Sequence, residues 1–254
     1  MQIITAPSKT QLLSSHILWE YSMPLFPKKA QEIINTLRMH SFAELSALLG
    51  TSENLTKSTI SKIKAFTLPF TLQNSKQAIC TFQGDAYSAI RPENYSSEQL
   101  SFAQNTLYIL SGLYGILRPL DLMQPYRLEM GTRLHVGQCK NLYEFWRETI
   151  TDTIRQSLNQ HEERTLINLA SSEYSKAVIE KKLQARMISI VFKQKSNDGY
   201  KSIPIYAKRA RGMMLHYCII NEIATSEQLK DFQMDGYLYS VLDSTDDNWV
   251  FYQH

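Results

Sequence analysis

Between Asn141 and Leu169 the hydrophobic pattern changes period, and that change limits what the chain can fold into. Leu142, Phe145, Trp146, Ile150, Ile154 and Leu158 are spaced for one buried face of a helix over Asn141–Gln160, and Thr165–Leu169 then reads as a strand. Helices and strands must therefore share one core. Met1–Thr5 gives a first buried strand, followed by a polar loop over Ala6–Thr10. Ala30–Met39, Phe42–Leu49 and Leu55–Phe66 each carry a helical stripe, so three short helices follow in succession. Ala78–Phe82 is strand-like and precedes a turn at Gly84–Tyr87, while Ser96 with Gln99 forms a capping box that opens another helix. Apolar residues return at Tyr108–Leu110. Ser171 or Ser172 can cap a helix behind the Thr165–Leu169 strand. Met187–Phe192 and Ser202–Tyr206 read as two strands about a turn at Asn197, Asp198 and Gly199. A helix over Arg209–Ile223 follows, and Tyr237–Leu242 with Asn248–Tyr252 forms a second hairpin. The fold class is α/β in the mixed α+β sense, with helices in excess.

No repeat and no Gly/Ser/Pro-rich linker divides the 254 residues, so residues 1–254 are expected to form a single domain. Nine glycines and eight prolines make about 7% of the chain, which tells against turn-rich sandwiches and propellers. Cys80, Cys139 and Cys218 lie far apart and form no CxxC, so they give neither a disulfide framework nor a thiolate metal cage. No apolar run reaches membrane-spanning length and no leader is visible, which makes a cytoplasmic protein, without membrane contact, the expectation. The six histidines, His16, His40, His135, His161, His216 and His254, show no metal spacing. No metal and no cofactor is expected.

A net charge of +3 names no partner, but its distribution is uneven. Lys181 to Arg211 holds nine basic residues against Asp198 alone, whereas Glu222 to Asp247 holds seven acids against Lys230. Two faces can neutralise each other, or a basic surface can await phosphates.

Three segments could carry chemistry. Leu110–Gly131 is dense in polar groups, and Pro119 and Pro125 exclude a regular helix there, so it reads as a long irregular loop of the kind that is commonly functional in compact domains. Its Arg118, Asp121, Tyr126, Arg127 and Glu129 can pair internally to fix one shape, or turn a guanidinium toward a phosphate or carboxylate. Asn168–Lys176 and Tyr206–Gly212 read as strand-to-helix junctions, whose free N–H groups attract anions. Lys208, Arg209 and Arg211 near a helix start would oppose the macrodipole unless a negative partner offsets them. HExxH, GxSxG, Walker and GxGxxG signatures are all absent.

Leu110–Gly131, with Pro7-Ser-Lys-Thr10, Gly84-Asp-Ala-Tyr87, Asn168–Lys176 and Tyr206–Gly212, resembles the YaaA family of bacterial peroxide stress resistance proteins over essentially the whole chain. The resemblance implies a compact α/β domain of unusual topology, a positively charged cleft, a helix-hairpin-helix-like element, and DNA binding linked to survival of oxidative stress. The hairpin element falls on residues 42–66, with Gly50 its single glycine and with Lys57, Lys62 and Lys64 on or near its second helix. Where the family usually has Ser-Asp-Glu-Tyr, this chain has Ser171-Ser-Glu-Tyr174, which leaves Glu173 as the junction's carboxylate.

The leading expectation is a DNA-binding protein that limits oxidative DNA damage, by shielding DNA or by lowering free iron. It would grip double-stranded or structured DNA through phosphates, using Lys9, Lys57, Lys62, Lys64, Arg118, Arg127, Lys176, Lys208, Arg209 and Arg211, and would act as a monomer. The alternative is an enzyme acting on a nucleotide or a flipped base, with Asp85, Tyr126, Glu129 or Glu173 in proton transfer.

Overall fold

The chain starts with the strand β1 (Gln2–Thr5), every residue of which is buried. The computed structural model describes residues 1–13, 20–197 and 199–254. The helices α1 (Pro27–Arg38), α2 (Phe42–Leu49) and α3 (Glu53–Ala65) follow. Ser41 and Glu44 close a reciprocal capping box on α2, and Gly50 ends that helix at φ 57°. Next come β2 (Lys76–Gln77), a single helical turn α4 (Ala78–Thr81), and α5 (Ser97–Thr106), opened by the expected box of Ser96 and Gln99. The strands β3 (Leu107–Ser111), β4 (Gly115–Leu117) and β5 (Leu122–Met123) lead to the long helix α6 (Leu142–Leu158). Beyond it lie β6 (Thr165–Leu169), the short turns α7 (Ser172–Ser175) and α8 (Glu180–Leu183), β7 (Arg186–Ser196), β8 (Gly199–Lys201), α9 (Pro204–Ile220), β9 (Tyr237–Tyr239) and β10 (Asn248–Gln253).

The main sheet has the order β4-β3-β1-β6-β7-β10-β9, with β8 added on β7. Pairings among β3, β1, β6, β7 and β10 are parallel, and β4, β9 and β8 attach antiparallel. Buried strands of this kind need helices against them. α6 packs on β1 and β4, and α9 packs on β7 and α5. Trp146 of α6 is fully buried, and its indole N–H donates to the Gly112 carbonyl at 3.0 Å. Gly115, at φ +70°, lies so close to this indole that a Cβ would sit 2.5 Å from a ring carbon. The α6 stripe read from the sequence is thus the plug of the β3–β4 end.

Four local readings need correction. Ala78–Phe82 is a helical turn rather than a strand, because Pro119 and Asp121 carbonyls accept the Ile79 and Ala78 N–H groups. A short apolar run does not separate the two by periodicity. Ser202–Tyr206 is not a strand, since Pro204 starts α9, where its fixed φ and missing N–H fit the first turn. The partner of β7 is instead Gly199–Lys201, and Asp198 of the expected turn lies outside the described residues, as does His16. The helix behind β6 is only the single turn α7, with Ser171 at its N-cap position but making no side-chain cap bond. Finally, Leu110–Gly131 is not an open loop. It contains β4 and β5 and is almost wholly buried.

Candidate functional site

The chain leaves β1 toward β3 on one side of the sheet, and leaves β6 toward β7 on the other. β1 and β6 are neighbours, so their following connections diverge and open a crevice at their carboxyl ends, the place where ligands bind in open α/β sheets. A cleft of ≈ 470 Å³ occupies this position. Its polar walls include Lys9 from the loop after β1, Asp85 from the Gly84–Tyr87 turn, Glu173 from the turn after β6, and Lys208 and Arg211 from α9.

Each wall is fixed by a local device. Tyr87, buried, donates its hydroxyl to the Ala6 carbonyl at 2.9 Å, which ties the Asp85 turn to the loop bearing Lys9. Gly212 lets α9 approach that same turn, because a Cβ there would meet the Ala86 carbonyl oxygen at 2.3 Å. Glu173 accepts the Gly131 N–H at 3.0 Å, and its own carbonyl accepts the Tyr143 hydroxyl at 2.8 Å. Lys208 and Arg211 are three residues apart on α9 and project from one side of it. They stand in the second and third turns rather than at a helix start, so the expected conflict with the macrodipole does not arise. Burial lowers the pKa of the Arg211 guanidinium, whose Nε has no hydrogen-bond partner among the described residues. Arg211 also lines the cleft, and a partly desolvated guanidinium is suited to an anionic oxygen.

One small recess adjoins the cleft, and a second adjoins the first. The first is walled by Lys9, Arg127 and Glu129, with Tyr126 and Tyr174 behind them. There Lys9 Nζ lies 2.7 Å from Glu129 Oε1, and Arg127 lies 3.7 Å from the same oxygen. The next recess is walled by Arg127 and by Lys62 of α3. Lys62 is held below its ordinary pKa, first by burial and then by the neighbouring Arg127 charge.

The remaining sequence candidates do not line the cleft itself. Arg118 grips Asp121 through 2.8 and 3.2 Å contacts and donates to the Met23 carbonyl, and Asp121 is fully buried and also accepts the Ser22 hydroxyl at 2.6 Å. Tyr126 is buried and accepts the Ser111 hydroxyl at 2.7 Å, and burial raises its pKa far beyond neutral pH. Lys57 pairs with Glu53 one turn away on α3 at 2.5 Å, while Lys64, Lys176 and Arg209 are exposed outside the cleft walls. The sequence reading passed over Ser8 and Tyr174 as wall residues and Gly212 as the α9 contact, although a glycine inside a helical pattern is a sign of close packing. Burial pushes the Cys80 thiol up to about 12 and the Cys218 thiol higher still, so neither is a thiolate at neutral pH. No group of three or more metal-binding side chains occurs among the described residues.

Fold and site together define an α/β protein with an open, largely parallel sheet and a polar cleft at its switch point. Comparison with known proteins gives the family. The family described as peroxide stress protein YaaA matches residues 1–241, and the chain belongs to it. A UPF0246 protein of Acaryochloris marina is 43% identical over 251 residues, which cover 99% of each chain. A UPF0246 protein of Desulfotalea psychrophila is 45% identical over 256 residues, covering 99% of this chain and 97% of the relative. A third, from Janthinobacterium, is 42% identical over 252 residues. No helix among the described residues is long and apolar enough to cross a membrane.

Proposed function

We propose that this protein serves the peroxide stress response by holding DNA through its phosphates, along a positively charged groove from the α2–α3 pair to the cleft at the sheet end. One observation carries this reading: the three hollows share walls. Arg127 borders the recess of Lys62 and also the recess of Lys9, and Lys9 borders the cleft of Lys208 and Arg211. Cations from four distant parts of the sequence therefore line hollows that adjoin one another, with Glu129, Asp85 and Glu173 as the carboxylates among them, and in this reading a polyanion follows the cations from one hollow to the next. In this reading α2 and α3, joined through Gly50, act as the helix-hairpin-helix-like element, with exposed Lys57 and Lys64 flanking the groove. Such contacts hold backbone without reading sequence. The acting species is a cytoplasmic monomer, and its benefit to the cell is shielding of DNA or a lower level of free iron.

The test is a salt titration of duplex binding. Phosphate contacts from Lys9, Lys62, Lys64, Arg127, Lys208 and Arg211 predict a log–log slope near about −5, and a flat response contradicts the reading. A second reading, an enzyme acting on a nucleotide or a flipped base, is favoured by the size of the cleft and by Asp85 and Glu173 in its walls. Turnover of nucleotides or damaged-base DNA by the pure protein, lost in Asp85→Asn or Glu173→Gln, supports that reading, and absence of turnover removes it.

A further inference from the structure

The long strand β7 runs past the end of its neighbour β6 and carries the basic residues Lys193 and Lys195 at alternate positions. Ile188, Ile190, Phe192 and Gln194 are buried, so Lys193 and Lys195 point to the other, more open face. The registers add aromatic neighbours on that face. Lys195 is paired with Tyr200 of β8, and Lys193 with Tyr252 of β10. The two tyrosine rings meet at 4.4 Å between centroids, and Lys193 Nζ lies 5.5 Å from the Tyr252 ring. Tyr200 is 38% exposed although it is a large ring in a paired strand. Among the described residues no carboxylate pairs with Lys193 or Lys195. The result is two ammonium groups beside two partly exposed rings that pack on each other, on a face of β7, β8 and β10 that does not line the cleft or its recesses.

We propose that this face, formed by Lys193, Lys195, Tyr200 and Tyr252, is a stacking platform for single-stranded DNA. The occupant follows from the chemistry of the face. Unpaired bases offer their ring faces to aromatic side chains, and a duplex does not, because its bases are already stacked and paired. The phosphates that separate successive bases meet the ammonium groups, which the charge of Lys193 and Lys195 favours. A protein chain as occupant would leave these two ammonium groups without an anionic partner unless it were strongly acidic. This inference rests on the nucleic-acid reading given above and deepens it, adding a second strand-selective surface to the groove.

The experiment uses the full chain and a labelled oligo(dT) of about 16 nucleotides, beside a duplex of the same length, with binding followed by fluorescence anisotropy. The Tyr200→Ala/Tyr252→Ala variant is expected to bind the single strand roughly tenfold more weakly while duplex affinity stays unchanged. Tyr200→Phe/Tyr252→Phe, which keeps both rings, is expected to bind like the parent protein. Lys193→Gln/Lys195→Gln, which leaves the rings in place, is expected to make the single-strand salt slope shallower by about 1.4. Unchanged single-strand affinity in the alanine variant, or an equal loss on the duplex, overturns the platform alone. Failure of the parent protein to bind either nucleic acid overturns the groove and the platform together. A parent dimer that the alanine variant turns into a monomer assigns the face to a second copy of the chain and overturns the proposal.

Discussion

The segment from Leu110 to Gly131 and the cleft after β1 and β6 are both rich in polar side chains, yet they treat them in opposite ways. In the first, the groups are paired and enclosed. Asp121 is fully buried and takes Arg118 and Ser22, and Ser111 with Tyr126 closes a second buried contact. In the second, Lys208 and Asp85 are exposed, and the Arg211 Nε has no hydrogen-bond partner among the described residues. Buried polar groups must be satisfied internally, whereas those that line a cleft can await a ligand. Polar density along the sequence therefore marks two different things, and exposure separates them. Arg127 and Glu129 stand at the border, close enough to Lys9 to belong to the recess beside the cleft.

That contrast can be broken by substitutions. Asp121→Ala should be the most damaging, because it leaves Arg118 without its buried carboxylate. The expected loss is about 3–5 kcal/mol by urea denaturation, and a loss below 1 kcal/mol would show that the pair is not structural. Gly212→Ala should cost about 1–3 kcal/mol, since the new methyl must push α9 away from the Ala86 carbonyl. It should also weaken DNA binding, by displacing Lys208 and Arg211 from the cleft, and unchanged stability with unchanged binding would deny Gly212 its positioning part. Lys9→Met should be mildest in stability, under about 1 kcal/mol, because its pair with Glu129 is solvent-exposed. Its effect belongs to binding, and a larger stability loss would move Lys9 to the structural side of the comparison.

Much of the frame was legible in the sequence, because periodicity and capping are local. α2 has the expected bounds, as does β6, and the Ser96–Gln99 box is present. The errors occur where tertiary contacts decide. The turn at Ala78–Thr81 is set by carbonyls some forty residues away in the sequence, and α9 begins at a proline that sits in what reads as a strand. The cleft was legible only as separate motifs. Lys9, Asp85, Glu173, Lys208 and Arg211 were all singled out by residue type and neighbourhood, but their meeting depends on the strand order, which no local signal encodes. Arg118 shows the opposite case, as a guanidinium suited to phosphate by chemistry and committed to Asp121 by packing.

The most direct measurement of the groove is the salt dependence of duplex binding by the parent protein and by Lys208→Gln/Arg211→Gln, with Arg118→Gln as the structural counterpart. Loss of the two cleft cations should make the log–log slope shallower by about 1.8, with the folded state intact, while Arg118→Gln should lower stability and leave the slope as it was. A slope unchanged by removing Lys208 and Arg211 would contradict the account.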